Sequence, residues 1–222
     1  MKNIVLFDLD GTLTDPGVGI TNSFVYALDK FGIQVEDRSE LYKFIGPPLF
    51  NSFTDYYGFD EEKANQAVAY YREVYNVTGK YENEVYGGIP ELLQSLKEQG
   101  YHLLVATSKP EHLAKDILEH FALAEYFCVI AGSDLDGVRN TKGKVIDYAL
   151  KQFAKQLDMP METVKKNAIM IGDRFHDAHG AKENEIDCIG VLYGYGSVEE
   201  LEKAGADYIA EQPKDILAII QE

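Results

Sequence analysis

The stretch IVLFDLDGTLTD, residues 4–15, places three carboxylates directly after a short apolar run. The run from Ile4 to Phe7 is typical of a strand that is buried on both faces of a sheet. Asp8 and Asp10 follow at the point where such a strand would end. Crowded carboxylates repel one another, so at neutral pH one of them holds a proton or a cation joins them. The stretch therefore predicts a buried strand that ends in a functional acidic site.

Four further short apolar runs recur along the chain, with helical stretches between them. These runs are His102 to Thr107, Phe127 to Ala131, Ala168 to Ile171 and Cys188 to Leu192. Continuous apolar strands that alternate with helices indicate a parallel sheet with helices on both faces. We therefore predict an α/β fold with a doubly wound, Rossmann-like parallel sheet.

The segment from residue 15 to residue 84 has no good strand, and its apolar residues recur at helical spacing instead. Asp60 can cap one of its helices. We predict a helical cap domain over residues 15–84, inserted into a core domain of residues 1–14 and 85–222. Because the insertion follows the first strand directly, we expect it over the carboxyl edge of the sheet, where open α/β sheets bind ligands.

Composition and charge exclude some classes of partner. The formal net charge is -16, which disfavours binding to nucleic-acid polymers and to anionic membrane surfaces. No apolar run approaches the length of about 18 residues that suggests a membrane span. Cys128 and Cys188 lie in apolar runs, so we expect buried, reduced thiols. These features predict a cytoplasmic protein without a membrane partner or a nucleic-acid partner.

Polar residues lie where the predicted strands end, and in one loop. They are Asp8 and Asp10, then Thr107 and Ser108, then Lys142 in the loop, and then Asp173 with Asp177 in GDRFHD. The carboxyl ends of parallel strands share one edge, so these residues would form one site. Magnesium, a hard cation that prefers oxygen ligands, would relieve the repulsion between Asp8 and Asp173. Asp177 could cap the next helix or reach a metal-bound water.

The donors at this predicted site suit a phosphoryl group. Thr12 and Thr107 offer hydroxyl groups, and Lys142 offers the positive charge that the phosphoryl oxygens need. We therefore expect magnesium as the cofactor and a small phosphorylated metabolite as the substrate. The sequence makes no prediction of the oligomeric state.

Together these motifs resemble those of the haloacid dehalogenase-like hydrolase superfamily, and the resemblance spans the whole chain. The matching residues are Asp8-Leu9-Asp10-Gly11-Thr12, Thr107 at the end of HLLVATSK, Lys142, and Gly172-Asp173 with Asp177. The resemblance implies a magnesium-dependent phosphatase in which Asp8 attacks phosphorus and Asp10 acts first as acid and then as base. The metal ligands that it implies are Asp8, Asp173 and the backbone carbonyl of Asp10.

The phosphate-binding residues that the resemblance implies include one uncertain lysine. Many relatives carry a Lys-Pro pair, whereas this chain has RNTKGKV, in which Lys142 and Lys144 are both candidates. We favour Lys142 because its spacing to the helix VIDYAL resembles that of relatives with shorter loops. Thr12, Thr107 and Ser108 complete the set, and Lys109 could also touch phosphate.

Two substrate classes compete within this family. The stretch FIGPPL resembles a cap loop of phosphoglycolate phosphatases, which makes Gly46, Pro47 and Pro48 candidate substrate contacts. The stretches GDRFHD, ATSKPEHLAKDILEHF and GVLYGYGS resemble the bacterial 5'-nucleotidase-like branch. We rank nucleoside 5'-monophosphates slightly ahead of phosphoglycolate.

Two other functions share part of the acidic pattern. A phosphosugar mutase of the same superfamily would keep the two aspartates and a helical cap, and would return the phosphoryl group to a sugar. A phospho-accepting receiver domain also uses acids, a threonine and a lysine on a parallel sheet. A receiver is about half this length and carries its acceptor on a middle strand, so the position of Asp8 on the first strand disfavours it.

The GYGS run, Gly194 to Ser197, admits two interpretations. It follows a predicted strand, which is typical of a dinucleotide-binding loop. However, the run lacks the final glycine of that motif and comes at the last predicted strand rather than at the first. A tight turn with Ser197 as the cap of the next helix is therefore the preferred interpretation.

Overall fold

The computed structural model of the protein describes residues 2–47, 49–134 and 137–221. The chain forms two compact units, an α/β unit and a helical unit. The α/β unit comprises Met1–Thr14 and Val85–Glu222, and the helical unit comprises Asp15–Glu84. Among the residues described, no helix has both the length and the apolar character that a bilayer crossing requires.

The α/β unit is built on a six-stranded sheet in which the neighbouring strands pair in parallel. The strands along the chain are β1 (Ile4–Phe7), β2 (Thr14–Asp15), β3 (Glu84–Val85), β4 (His102–Pro110), β5 (Val129–Ser133), β6 (Ala168–Gly172), β7 (Asp187–Val191) and β8 (Tyr208–Ala210). The order in the large sheet is β5-β4-β1-β6-β7-β8, and β2 pairs with β3 in a separate sheet. The strand that precedes Asp8, β1, is therefore one of the two central strands.

Helices cover both faces of the large sheet. The helices along the chain are α1 (Gly17–Asp29), α2 (Leu49–Tyr57), α3 (Glu61–Tyr75), α4 (Ile89–Glu98), α5 (Glu111–His120), α6 (Lys142–Leu157), α7 (Met161–Lys166), α8 (Phe175–Glu183), α9 (Val198–Ala204) and α10 (Pro213–Gln221). Val5 and Phe7 share a hydrophobic core with α4, α5 and α10. Ile4 and Leu6 share a second core with α6, α7 and α8. This alternation follows from the period of a strand, and the predicted doubly wound α/β fold is confirmed.

The five predicted strands form, although some of their limits shift. The strand that begins at His102 continues to Pro110, and the strand expected from Phe127 begins at Val129. A sixth strand, Tyr208–Ala210, escaped prediction because it is three residues long and only its last residue is buried. Short edge strands carry a weak apolar signal, so their existence depends on the neighbour that they pair with.

The two cysteines differ in their surroundings. Cys188 is buried in β7, as predicted, whereas the prediction for Cys128 is wrong because this residue is exposed. Cys128 precedes β5 at the edge of the sheet, where its backbone amide and its thiol both donate to the carbonyl of Leu103. The apolar run that begins at Phe127 continues into β5, so the prediction placed the start of this strand two residues before Val129 and took Cys128 to be buried.

The helical unit consists of α1, α2 and α3 with two short 3-10 helices, Arg38–Phe44 and Gly79–Tyr81. The carboxylate of Asp60 accepts the backbone N–H of Lys63, so Asp60 caps α3 as predicted. Aromatic rings fill the core of the unit: the ring centroid of Phe24 lies 5.0 Å from that of Phe44 and 5.2 Å from that of Phe53. This unit is held together by aromatic packing.

Candidate active site

Asp8 lies immediately beyond β1, at the carboxyl end of the central strand. Its backbone N–H donates to the carbonyl of Ile171 at 2.9 Å, which continues the pairing of β1 with β6. One carboxylate oxygen, Oδ1, accepts the N–H of Leu9 at 2.7 Å. The other oxygen, Oδ2, lies 2.7 Å from the Nζ atom of Lys142. Both oxygens of this buried carboxylate are therefore oriented by the protein.

The ammonium group in contact with Asp8 belongs to Lys142 and not to Lys144. It is the first residue of α6, and its Nζ atom also lies 2.9 Å from Oδ1 of Asp177 and 3.2 Å from the carbonyl oxygen of Ala106. Burial disfavours the charged ammonium, but Asp177 and Asp8 outweigh burial and raise the pKa of Lys142. Lys144 is exposed and donates to Asn140 at 3.0 Å.

Three carboxylates form a compact acidic cluster: one oxygen each from Asp8, Asp173 and Asp177 lies within 4.8 Å of the others. Among the described residues, no lysine, arginine or histidine forms an ion pair with Asp173. Burial, together with the charges of Asp177 and Asp8, raises the pKa of Asp173 well above its ordinary value. Burial and Asp8 also raise the pKa of Asp177, against the effect of Lys142. A hard divalent cation suits this all-oxygen donor set and would relieve the repulsion.

A backbone cradle surrounds Asp173. Its Oδ2 atom accepts the N–H of Tyr195 at 2.8 Å. Gly11 adopts a φ of +81°, and a Cβ atom there would lie 2.2 Å from Oδ2 of Asp173. A Cβ at Gly194 would lie 2.5 Å from the Cβ of Asp173, and one at Gly196 would lie 1.9 Å from its carbonyl oxygen. The glycines therefore allow two backbone segments, at Gly11 and at Gly194–Gly196, to approach Asp173 closely.

Asp10 does not belong to the acidic cluster through its side chain. Its Oδ2 atom lies 2.8 Å from the Nζ atom of Lys109, and both side chains are largely buried. Its Oδ1 atom is buried and has no hydrogen-bond partner. Burial raises the pKa of the Asp10 carboxyl, although the Lys109 ammonium acts in the opposite direction. One oxygen of this carboxyl therefore faces a cation and the other has no partner. Proton transfer by the side chain and metal binding by the backbone carbonyl both stay predictions.

The predicted hydroxyl donors are buried to different degrees. Thr12 is buried, and its Oγ1 atom donates to Oδ1 of Asp173 at 3.4 Å. Thr107 is also buried, and its Oγ1 atom accepts the N–H of Lys109 at 3.3 Å. Ser108, between them in β4, is half-buried. Thr12 lies beyond the carboxyl end of β1, and Thr107 and Ser108 lie in the last part of β4, which pairs with β1 in parallel.

Comparison with known proteins identifies the family. A family model described as haloacid dehalogenase-like hydrolase matches residues 5–191, which include every residue of the site described above except Tyr195 and Gly194 and Gly196 of its cradle. This chain belongs to the haloacid dehalogenase-like hydrolase family. The predictions of this family and of a phosphatase-type hydrolase are thereby confirmed.

Several relatives match over most of the chain. A 5'-nucleotidase of Pseudomonas aeruginosa is 49% identical over 197 residues, which are 89% of this chain and 86% of that protein. The crystal structure of a predicted phosphatase from Clostridium acetobutylicum is 53% identical, has a TM-score of 0.91, and is matched over 100% of this chain and 99% of that one. The tyrosine-protein kinase PtkA of Mycobacterium tuberculosis is 37% identical over 206 residues, 93% of this chain and 67% of that protein.

The predicted cap-loop residues belong to the helical unit. Gly46 has a φ of +100° and Pro47 follows it, after the 3-10 helix Arg38–Phe44. Pro48 lies outside the described residues. The assignment of these three residues to substrate binding stays a prediction.

Sequence reasoning missed two features of this hydrolase site. Lys109 was weighed only as a phosphate contact, and its ion pair with Asp10 was not foreseen. The cradle around Asp173 was also missed, although the glycines of GYGS signalled a close backbone approach. Ser197 accepts the N–H of Glu200, as expected for a helix cap, so the turn interpretation of GYGS is confirmed.

Proposed function

We propose that this chain is a magnesium-dependent phosphatase that hydrolyses a small phosphate monoester through an aspartyl-phosphate on Asp8. The observation that carries the proposal is the environment of Asp8. Its carboxylate contacts Lys142 at 2.7 Å and lies in one oxygen cluster with Asp173 and Asp177. A nucleophile beside a fixed positive charge suits the transfer of an anionic phosphoryl group.

The reaction that we propose has two steps. A carboxylate oxygen of Asp8 forms a bond to phosphorus while the bond from phosphorus to the ester oxygen breaks, and Asp10 gives its proton to that departing oxygen. Asp10 then removes a proton from water as the water oxygen attacks phosphorus, which releases phosphate and restores Asp8. Lys142, Thr12 and Thr107 are the proposed donors to the phosphoryl oxygens, with Ser108 beside them.

The proposed ligands of magnesium are Asp8, Asp173 and the backbone carbonyl of Asp10. Asp177 would act directly or through a water. When bound, the cation would neutralise charge that the phosphoryl oxygens and the crowded carboxylates carry. The raised pKa of Asp173 supports this ligand set, because a buried carboxyl without a cationic partner gains most from a bound cation.

We propose a nucleoside 5'-monophosphate as the substrate, with phosphoglycolate as the second candidate. The 5'-nucleotidase of Pseudomonas aeruginosa supports the first choice through its 49% identity. Gly46 and Pro47 are the proposed substrate contacts in the helical unit. A reducing cytosol is the proposed location, which the two free cysteines favour.

Phosphate release from a panel of monoesters tests the proposal. Nucleoside 5'-monophosphates, phosphoglycolate and sugar phosphates would each be assayed with magnesium and after chelation. We expect turnover that chelation abolishes and magnesium restores, highest for the nucleotides. Asp8→Asn should abolish multiple turnover and preserve the circular dichroism spectrum.

Three results would count against parts of this proposal. Turnover that persists after chelation would remove the role of the cation. An active Asp8→Asn variant would remove Asp8 as the nucleophile. Isomerised sugar phosphate without release of phosphate would indicate a mutase instead.

A further inference from the structure

A buried ion pair lies beside the acidic cluster and is separate from it. The Nζ atom of Lys109 is 2.8 Å from Oδ2 of Asp10, and the two side chains are 5% and 13% exposed. Burying two charges costs free energy, and a pair of this kind is seldom the best way to stabilise a fold. Fold stability alone is therefore a poor reason for this pair, and its geometry points to a role in the site.

The backbone at Lys109 is closely confined. β4 continues past Thr107 to Pro110, and its pairing with β5 is irregular between Ala106 and Pro110. A Cβ atom at Gly132 of β5 would lie 2.5 Å from the carbonyl oxygen of Lys109. The N–H of Lys109 donates to Thr107 at 3.3 Å. The backbone from which the Lys109 side chain extends is therefore held in place by its neighbours.

The two carboxylate oxygens of Asp10 differ in their partners. Oδ2 faces the Lys109 ammonium, whereas Oδ1 is buried without a hydrogen-bond partner. An ammonium carries only donors, so the oxygen that it contacts acts as an acceptor. Oδ1 is therefore the oxygen left free to give or to take a proton.

We propose that Lys109 is a positioning residue, which holds Oδ2 of Asp10 so that Oδ1 is directed at the reacting oxygen. This inference rests on the proposed function. In the first step the proton on Oδ1 passes to the ester oxygen as its bond to phosphorus breaks. In the second step Oδ1 takes a proton from the attacking water. The contact between Lys109 and Oδ2 persists through both steps.

The geometry favours this role over direct phosphate binding by Lys109. Lys142 already supplies the positive charge at the proposed nucleophile, since its Nζ atom lies 2.7 Å from Asp8. The Nζ atom of Lys109 lies at Asp10 instead. The two lysines therefore form ion pairs with different carboxylates, Lys109 with Asp10 and Lys142 with Asp8.

The kinetic test uses Lys109→Met and Lys109→Arg in the magnesium-loaded enzyme, with Lys115→Met as the control. Lys115 is an exposed lysine of α5 that pairs with Glu111. Protonation matters most for a poor leaving group, so kcat/KM of Lys109→Met should fall by about 10²-fold for an alkyl phosphate such as a nucleoside 5'-monophosphate. The loss for 4-nitrophenyl phosphate should stay below about tenfold. Lys109→Arg should recover part of the loss, and Lys115→Met should match the wild type.

Binding of inorganic phosphate separates positioning from phosphate recognition. Calorimetry should give the same Kd for Lys109→Met and the wild type, within about twofold. Weaker phosphate binding together with an equal loss for both substrates would overturn the proposal and make Lys109 a phosphate ligand. Unchanged kinetics for both substrates would also overturn it.

Crystal structures of the wild type and of Lys109→Met give a readout that needs no turnover. The side-chain torsions of Asp10 should change in the variant, while those of Asp8 should not. An unmoved Asp10 would overturn the inference. If the wild type releases phosphate from no monoester, the proposed function fails, and this structural comparison still decides the role of Lys109.

Discussion

The α/β unit and the helical unit bury different kinds of side chain. Among its described residues, the α/β unit buries five that carry charge: Asp8, Lys109, Lys142, Asp173 and Asp177. In the helical unit, no charged side chain among the described residues is buried. Two of its buried hydroxyls are satisfied within their own helix, since Thr21 and Ser23 donate to the carbonyls of Gly17 and Gly19 at 2.7 Å.

The two units therefore differ in which buried groups stabilise them and which cost free energy. Aromatic rings stabilise one another by packing, so the helical unit can build much of its core from them and from aliphatic side chains, without a buried charge among its described residues. A buried carboxylate costs free energy unless a cation or a donor compensates it. The α/β unit accepts that cost only at the carboxyl end of its central strands, where we place the chemistry.

The largest effect should come from the aromatic core. Phe53 is fully buried, and its ring centroid lies 5.2 Å from that of Phe24 and 6.0 Å from that of Phe59. Phe53→Ala should lower the free energy of unfolding by about 3–5 kcal/mol in urea titrations followed by circular dichroism. Tyr56→Ala, at a position 60% exposed, is the control and should lose far less. Equal losses would contradict an aromatic core that is centred on Phe53.

The lysine at Asp8 should matter more for turnover than any other lysine of its loop. Lys142→Met should lower kcat/KM for the best monoester by about 10²–10³-fold, because it would remove the donor that we propose for the phosphoryl oxygens. Lys144→Met should stay within about twofold, since Lys144 is exposed and bonded to Asn140. The reverse result would show that the wrong lysine has been assigned. Circular dichroism must first show that both variants fold.

A smaller effect concerns the dependence of stability on pH. The pKa of Asp173 is raised above its ordinary value of 3.8, so the folded state binds this proton more tightly than the unfolded chain does. The stabilisation is therefore complete below the ordinary pKa and is lost as the pH rises through the raised pKa. At neutral pH without divalent cations, Asp173→Asn should melt a few degrees above the wild type, since about 1 kcal/mol shifts Tm by ~2–4 °C at this size.

Magnesium should reverse that order. Scanning fluorimetry at acid and neutral pH, with chelator or with magnesium, would measure both effects. Magnesium should stabilise the wild type and leave Asp173→Asn unchanged. Asp147→Asn is the control, because Asp147 forms an ordinary surface pair with Lys151 at 2.6 Å. If magnesium raises the Tm of Asp173→Asn as much as that of the wild type, Asp173 is not a ligand.

The smallest expected effect concerns a cation–π contact on the helical unit. The Nζ atom of Lys63 lies 4.0 Å from the ring centroid of Phe59 and 5.2 Å from that of Phe31. Lys63→Met should cost about 0.5–1 kcal/mol of unfolding free energy, the usual range for an exposed cation over a ring. Lys63→Arg should retain the stability. Equal losses in the two variants would rule out the ring contact as the cause.

Much of the α/β unit could be predicted because its signals are local. The apolar run from Ile4 to Phe7 and the acids after it mark the central strand, and the spacing of the later runs indicates the parallel sheet. The three-residue strand β8 could not be predicted in this way. It depends on the pairing of Ile189, Gly190 and Val191 with residues far along the chain.

The proposed site residues also divide into those that local sequence signals indicate and those contacts that only the fold creates. Residue type, motif order and the family resemblance pointed to Asp8, Asp10, Thr107, Lys142 and Asp173, because they lie at the ends of predicted strands or in a loop between them. The spacing already favoured Lys142 over Lys144, but only the structure shows that Lys142 contacts Asp8 while Lys144 donates to Asn140. The ion pair of Lys109 with Asp10 could not be read from the sequence, because it joins a residue of β4 to one in the segment that follows β1.

The sequence by itself determined the fold class, the family and the set of residues with the right chemistry, because periodicity and motif order are properties of a linear chain. Only the tertiary structure decided which oxygen faces which cation, and that Asp173 lies in a cradle of glycines. The physical reason is distance: partners such as Thr12 and Asp173 are separated by 161 positions and meet only when the sheet assembles.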